Sequence, residues 1–168
     1  MHRLSVLRHA KSSWASPGLA DHERPLNERG NEQATALCEW LGTQDIGIDR
    51  VLVSPATRTM ETLSTIRPSL NGAPEEIIDA LYNGSPDTYL NEAMAHDGKH
   101  VLIVGHNPAC DELVRTLAAQ HGEAAARLNL AHYGTANFTT LVFDGAYAAG
   151  SGTVETFLRP RDLLAKAD

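Results

Sequence analysis

The chain has 168 residues, 42% of them hydrophobic and 21% charged, with a formal net charge of −7. That length suits one domain with a sizeable core, and residues 1–168 are read as a single domain. The negative charge and the scattered Lys and Arg residues exclude nucleic acid as the main partner, since a phosphate backbone needs an extended basic face.

The first strand signal, Leu4-Ser5-Val6-Leu7, feeds directly into Arg8-His9-Ala10. Apolar residues at Ala34, Leu37, Cys38 and Leu41 give a helical stripe from Asn27 to Leu41. Val51-Leu52-Val53 is a second strand and runs into Ser54-Pro55-Ala56-Thr57-Arg58. Pro55 suits a first turn, with helix from Thr59 to Ile66. Strands at Glu76–Ile78 and Val101–Val104 flank a helix over Thr88–Ala95, and the second of these strands ends at Gly105-His106-Asn107. A helix over Asp111–Ala119 precedes two closely spaced strands, Phe138–Phe143 and Thr153–Leu158. The Gly-rich turn from Gly145 to Gly152 predicts that these two form an antiparallel hairpin at one edge, and Pro160 opens a last helix through Lys166.

Strands alternating with helices predict a three-layer α/β/α sandwich with a mostly parallel central sheet and an antiparallel edge. The runs at Leu4–Leu7, Val51–Val53 and Val101–Val104 are nearly continuous apolar stretches, as in central strands covered on both faces. No apolar run approaches the ~20 residues of a membrane span, and the start is too short for a signal peptide. The expectation is a cytoplasmic protein without membrane association, and a monomer. Cys38 and Cys110 are too few for a disulfide framework and read as helix-borne thiols. Arg115 does not follow Cys110 at the spacing of a cysteine-type phosphatase loop.

Three apolar strands, each delivering Arg or His at its end, predict one convergent pocket, because open α/β sheets bind ligands beyond the carboxyl ends of their strands. Phosphoryl transfer is mostly positioning and charge neutralisation. Arginine's planar fork suits the non-bridging oxygens. An imidazole can attack phosphorus and carry the group as phosphohistidine. His9 is the candidate nucleophile, and nearby Arg8 and Arg58 would lower its pKa and keep it neutral. Arg8, Arg58 and His106 would clamp the phosphoryl oxygens, His106 contributing most when protonated. His2, His22, His96, His100, His121 and His132 show no paired ligand spacing, so neither a metal nor another cofactor is called for.

These residues resemble the histidine phosphatase superfamily, with its phosphoglycerate mutase-like fold. Leu7 to Trp14 is similar to its Arg-His signature, and Asp21 to Gly30 to a segment of its small bacterial branch. Val53-Ser54-Pro55-Ala56-Thr57-Arg58-Thr59 resembles the second motif and Val104-Gly105-His106-Asn107-Pro108 the third. The short chain without a large inserted cap resembles the SixA-type phosphohistidine phosphatases. The resemblance implies a metal-independent phosphatase with His9 as the phosphorylated nucleophile. It further implies that Arg8, Arg58 and His106 complete the phosphate pocket and that Arg24 contacts phosphate. Asn107 is assigned to the same phosphate site, and Lys11, Ser12, Ser13 and Trp14 to its wall.

One departure concerns the proton donor. Many superfamily members carry a carboxylic acid after the third strand, where this chain reads Ala80-Leu81-Tyr82-Asn83-Gly84. Asp21 and Asp79 are the remaining candidates for a general acid. An alkoxide leaving group needs strong protonation, whereas a phosphohistidine imidazole is a better leaving group. The expected substrate is therefore a phosphohistidine on a protein. A small phosphorylated metabolite hydrolysed at the same site, phosphate binding without turnover and a mutase are the competing readings.

Overall fold

A computed structural model describes residues 1–96 and 98–164. Lys166, the expected end of the last helix, lies outside them. Six strands are present: β1 (His2–Arg8), β2 (Arg50–Val53), β3 (Glu75–Ile77), β4 (His100–Gly105), β5 (Phe138–Phe143) and β6 (Thr153–Leu158). They form one sheet in the order β3-β2-β4-β1-β5-β6. β1, β2, β3 and β4 are parallel, while β5 runs antiparallel to both β1 and β6. The antiparallel hairpin therefore lies at one edge, as its Gly-rich turn implies. β3 lies at the other edge, exposed throughout and one residue earlier than its apolar run suggests.

The continuous apolar strands are explained by their period-2 alternation between two covered faces. Leu4 and Val6 of β1, Leu52 of β2, and Val101 and Ile103 of β4 face one core. Leu7, Val51, Val53, Leu102 and Val104 face the other. The first face is covered by α3 (Pro86–Ala95), α4 (Ala109–Leu117) and α5 (Glu123–Leu130). The second is covered by α1 (Glu28–Gly42) and α2 (Thr57–Ile66). A short α6 (Pro160–Leu164) follows β6.

Local sequence accounts for the helices. Asn27 caps α1 by accepting from the Gly30 N–H at 2.8 Å. Ser85 caps α3, with Pro86 in its first turn. In α4, Cys110, Leu113, Val114 and Leu117 make the buried stripe. Pro55 precedes rather than opens α2, which starts at Thr57. The alanine-rich α5 is absent from the periodicity reading, because only Ala125 and Leu128 of it are buried.

One buried polar chain crosses the second face. The His100 Nδ1–H donates to the Ile46 carbonyl at 2.8 Å, which leaves Nε2 to accept from Ser5 Oγ at 2.8 Å. The Thr140 hydroxyl then donates to Ser5 Oγ at 2.8 Å. The chain satisfies these groups without leaving a buried orphan.

Gly30 is set by packing. A Cβ there would overlap the backbone carbonyl oxygen of Lys11, in the segment that follows β1. Gly30→Ala should destabilise the fold by about 1–3 kcal/mol, the usual cost of overpacking a tight site. Urea unfolding checks this, and an unchanged midpoint contradicts it.

Candidate active site

The parallel register aligns the strand ends. Arg8 of β1 is opposite Gly105 of β4, and Val53 of β2 is opposite Val104. The segments leaving β1, β2 and β4 thus emerge at one level beyond the sheet. They line a cavity of about 390 Å³ together with Tyr82 and Thr135. Arg8, His9, Arg24, Arg58, His106 and Asn107 all face it. Lys11, Ser12 and Trp14 also line it, whereas Ser13 does not.

His9 is held on every side. Its backbone N–H donates to the Gly105 carbonyl at 3.0 Å, tying β1 to β4. The next residue, Ala10, donates its N–H to Thr62 Oγ1 of α2 at 3.0 Å. The ring Nδ1–H donates to the Ala10 carbonyl at 2.7 Å, which can only accept. That bond fixes the tautomer and leaves the lone pair on Nε2. Arg58 Nε donates toward that nitrogen at 3.3 Å. Burial first, and then the nearby Arg58, Arg8 and Arg24 guanidinium groups, together push the His9 pKa down to about 4, against the Ala10 carbonyl, which raises it. Desolvation is thus a larger cause than the arginines from which the sequence argument starts.

His106 stands beside it, with ring centroids 5.3 Å apart. The loop that carries it is anchored by Tyr89, whose hydroxyl accepts from the His106 N–H at 2.9 Å and donates to the Leu81 carbonyl at 2.8 Å. A Cβ at Gly105 would overlap this hydroxyl, so the close approach requires glycine there. His106 Nε2 lies 2.7 Å from the buried Ser54 hydroxyl, and Nδ1 is buried without a partner. Burial, then Arg58 and His9, lower the His106 pKa to about 3. The ring is therefore neutral here.

The cations are built in with equal care. Arg8 Nη1 donates to the Tyr133 carbonyl at 3.2 Å, and its Nε is buried without a partner. Asn107 Nδ2 donates to the same carbonyl at 2.8 Å, so Asn107 spends a donor on the scaffold that also fixes Arg8. Arg24 donates from Nη1 to Ser12 Oγ at 2.8 Å and stacks 3.5 Å above the otherwise exposed Trp14 ring. Arg58 donates from Nη1 to the Asp21 backbone carbonyl at 2.9 Å and from Nη2 to Asp21 Oδ2 at 3.1 Å.

Asp21 links these groups. Oδ1 accepts from Arg24 Nε at 3.2 Å, and Oδ2 also accepts from the Tyr82 hydroxyl. The Tyr82 bond, then Arg58 and Arg24, hold its carboxyl down to about 2 despite a partial desolvation penalty. Asp21 is thus ionised at neutral pH, with no proton to donate. Asp79 is exposed on a short 3-10 turn and does not line the cavity. In these positions neither Asp21 nor Asp79 is poised to donate a proton into the cavity. Sequence reasoning also missed Tyr82 as a wall residue, whose ring meets His106 edge-on at 5.5 Å. It missed Thr135 as well, and the role of Ser54 against His106. Tyr82 occupies the segment where a carboxylate was sought, which was the one available signal.

The arrangement can receive a tetrahedral oxyanion. Arg8 Nε and His106 Nδ1 are buried without partners, and both residues line the same cavity as His9. Charge-assisted hydrogen bonds of this kind contribute roughly 1.5–3 kcal/mol each.

Comparison with known proteins agrees with this geometry. Residues 4–84 match the family model of the histidine phosphatase superfamily (branch 1). An uncharacterized protein of Mycobacterium tuberculosis strain H37Rv is 36% identical over 122 residues, covering 71% of this chain and 75% of that one. The phosphohistidine phosphatase SixA of Escherichia coli K12 is 29% identical over 169 residues, covering 96% and 97%. A solved structure from Nakamurella multipartitia, provisionally named a SixA phosphohistidine phosphatase, is 30% identical with a TM-score of 0.80, covering 95% and 96%. By sequence, by fold and by the convergence of its Arg-His strand ends, this chain belongs to the histidine phosphatase superfamily.

Proposed function

We propose that the protein is a phosphohistidine phosphatase that works through a phosphoryl intermediate on His9. One observation carries this reading. The His9 imidazole is neutral, has one fixed tautomer, and presents its Nε2 lone pair to a cavity walled by Arg8, Arg24 and Arg58. The relatives named for phosphohistidine phosphatase activity supply the substrate class.

In the first step His9 Nε2 attacks phosphorus and the bond to the leaving group breaks. Arg58 Nε turns from Nε2 to a phosphoryl oxygen, while Arg8 and Arg24 neutralise the remaining charge. In the second step water attacks phosphorus, the P–Nε2 bond breaks, and inorganic phosphate leaves with the neutral imidazole restored. Ser54 holds His106 so that Nδ1 serves as the donor to phosphate. The dianion itself would raise the His106 pKa from its low value in the protein alone.

The chemistry of the wall favours a phosphoramidate. Asp21, the one carboxylate lining the cavity among the described residues, is ionised, and the Tyr82 hydroxyl donates its hydrogen bond to that carboxylate. No poised acid is on hand to protonate an alkoxide. A phosphohistidine already protonated on its other ring nitrogen departs as neutral imidazole and needs no donor. The site therefore suits an activated phosphoryl group on a protein side chain. No metal is required for either step. Among the described residues no helix is long and apolar enough to cross a membrane. The unbridged Cys38 and Cys110 support a cytoplasmic setting.

His9→Ala should abolish turnover of both a phosphohistidine protein and an aryl phosphate, with loss of the acid-labile label found on the wild-type protein. Persistent labelling of the variant would place the nucleophile elsewhere. Faster turnover of metabolite phosphates by orders of magnitude would end the phosphohistidine reading. Arg58→Ala should lower kcat/KM about 10²–10³-fold, as removal of a preorganised transition-state donor does. A change of only a few-fold would show that Arg58 serves structure instead.

The ring nitrogens can be read directly. The folded pKa values of His9 and His106 lie near 4 and 3, below the unfolded value of 6.5. Between these limits the unfolded chain binds more protons, so each group should reduce stability as pH falls from about 6.5 toward 4. NMR titration should find both rings neutral at pH 6, and Arg58→Ala should raise both midpoints. Midpoints near 6.5 in the wild type would contradict the assignment.

A further inference from the structure

A second depression of about 410 Å³ adjoins the first, and Thr135 lines both. Its wall carries Arg29, His132, Arg159 and Arg161, and among the described residues no carboxylate. This concentration stands out in a chain whose net charge is −7. Arg29 is 3.7 Å from Glu32, with both side chains more than half exposed, so water screens that pair. Arg159 is bound by Asp162, which also receives Arg127. Arg161 is exposed and makes no ion pair among the described residues.

Gln33 supplies a second, independent sign. It lines this groove and is only 8% exposed. Its Oε1 accepts from the Lys11 N–H at 3.0 Å and from Thr135 Oγ1 at 3.2 Å. A backbone N–H can only donate, so the amide orientation is forced. Nε2 is left with two N–H groups and no partner among the described residues. A nearly buried amide that spends its acceptor and keeps its donors is set for an acceptor on a ligand. At the end of α5, Leu130 also lines the groove and is 91% exposed, an apolar handle among cations.

Cations, amide donors and an apolar residue in one open groove fit a carboxylate-bearing peptide better than a compact metabolite. Building on the phosphohistidine reading, we propose that this groove docks an acidic, partly apolar segment of the protein that presents its phosphohistidine to His9. Selectivity for protein substrates is then set outside the phosphoryl pocket, by a surface that steers acidic partners to the one basic approach beside the site.

The test separates docking from catalysis. Isotope-labelled protein, its phosphoryl pocket saturated with inorganic phosphate, is titrated with an unphosphorylated peptide of alternating Glu and Leu. Shifts are expected at Gln33, His132 and Gly134, and they should weaken as salt rises from about 0.05 to 0.3 M, where screening shortens. An Arg29→Glu/Arg161→Glu double variant should lose them. It should also lower the ratio of kcat/KM for a phosphohistidine protein to that for an aryl phosphate about tenfold, through KM. Absent shifts, shifts confined to the phosphoryl pocket, or an unchanged ratio overturn the proposal. Stronger shifts with pyrophosphate than with the peptide also overturn it, and assign the groove to a second phosphate of a small substrate. If the peptide binds as described but the wild type turns over no phosphohistidine protein, the phosphohistidine reading fails and the acidic-segment groove stands.

Discussion

The parallel register of β2, β4 and β1 is the constraint on which everything else depends. It ends three strands at one level, so that residues about 50 positions apart in the chain, His9, Arg58 and His106, meet in a single cavity. Each strand is buried on both faces, and a slip by one residue would exchange its two apolar sets between cores that are already filled. The register is therefore held by packing over the whole sheet, not by the polar groups at its end. This is why the site can afford buried, partly unsatisfied donors.

Those donors are held at a cost. Gathering Arg8, Arg24 and Arg58 around two imidazoles raises mutual repulsion and desolvates charge. The protein offsets part of this with Asp21, whose carboxylate and backbone carbonyl engage Arg58 while the same carboxylate reaches Arg24. The imidazoles respond by losing their protons. Burial thus keeps the proposed nucleophile uncharged: a His9 left in water would be partly protonated at neutral pH, while this one is not. The same force keeps His106 neutral.

The missing acid and the adjoining basic groove bear on the same question. A wall whose sole carboxylate among the described residues is committed to arginines cannot readily protonate a poor leaving group. A groove of arginines that opens beside Thr135 widens the recognition surface beyond one phosphoryl group. Both features accord with the proposed substrate, a good leaving group attached to something larger.

Much of this was legible without coordinates. The alternation of apolar runs and helical stripes reports burial, which is a local property of side chains, so the α/β class and the antiparallel edge follow from it. Arg8-His9, Arg58 and His106-Asn107 could be picked out because each lies within five residues of the end of such a run. Helix α5 was not legible, since alanine buries too little area to mark a face. Tertiary structure alone decided which polar groups touch. Asp21 and Asp79 are equivalent in the chain, yet one is clamped ionised over the pocket and the other faces solvent. Thr135 and the unpaired Gln33 Nε2 carry no local signature, and Tyr82 only its place after the third strand. Their roles come from what lies across space, because hydrogen bonding and desolvation depend on neighbours that sequence order does not specify.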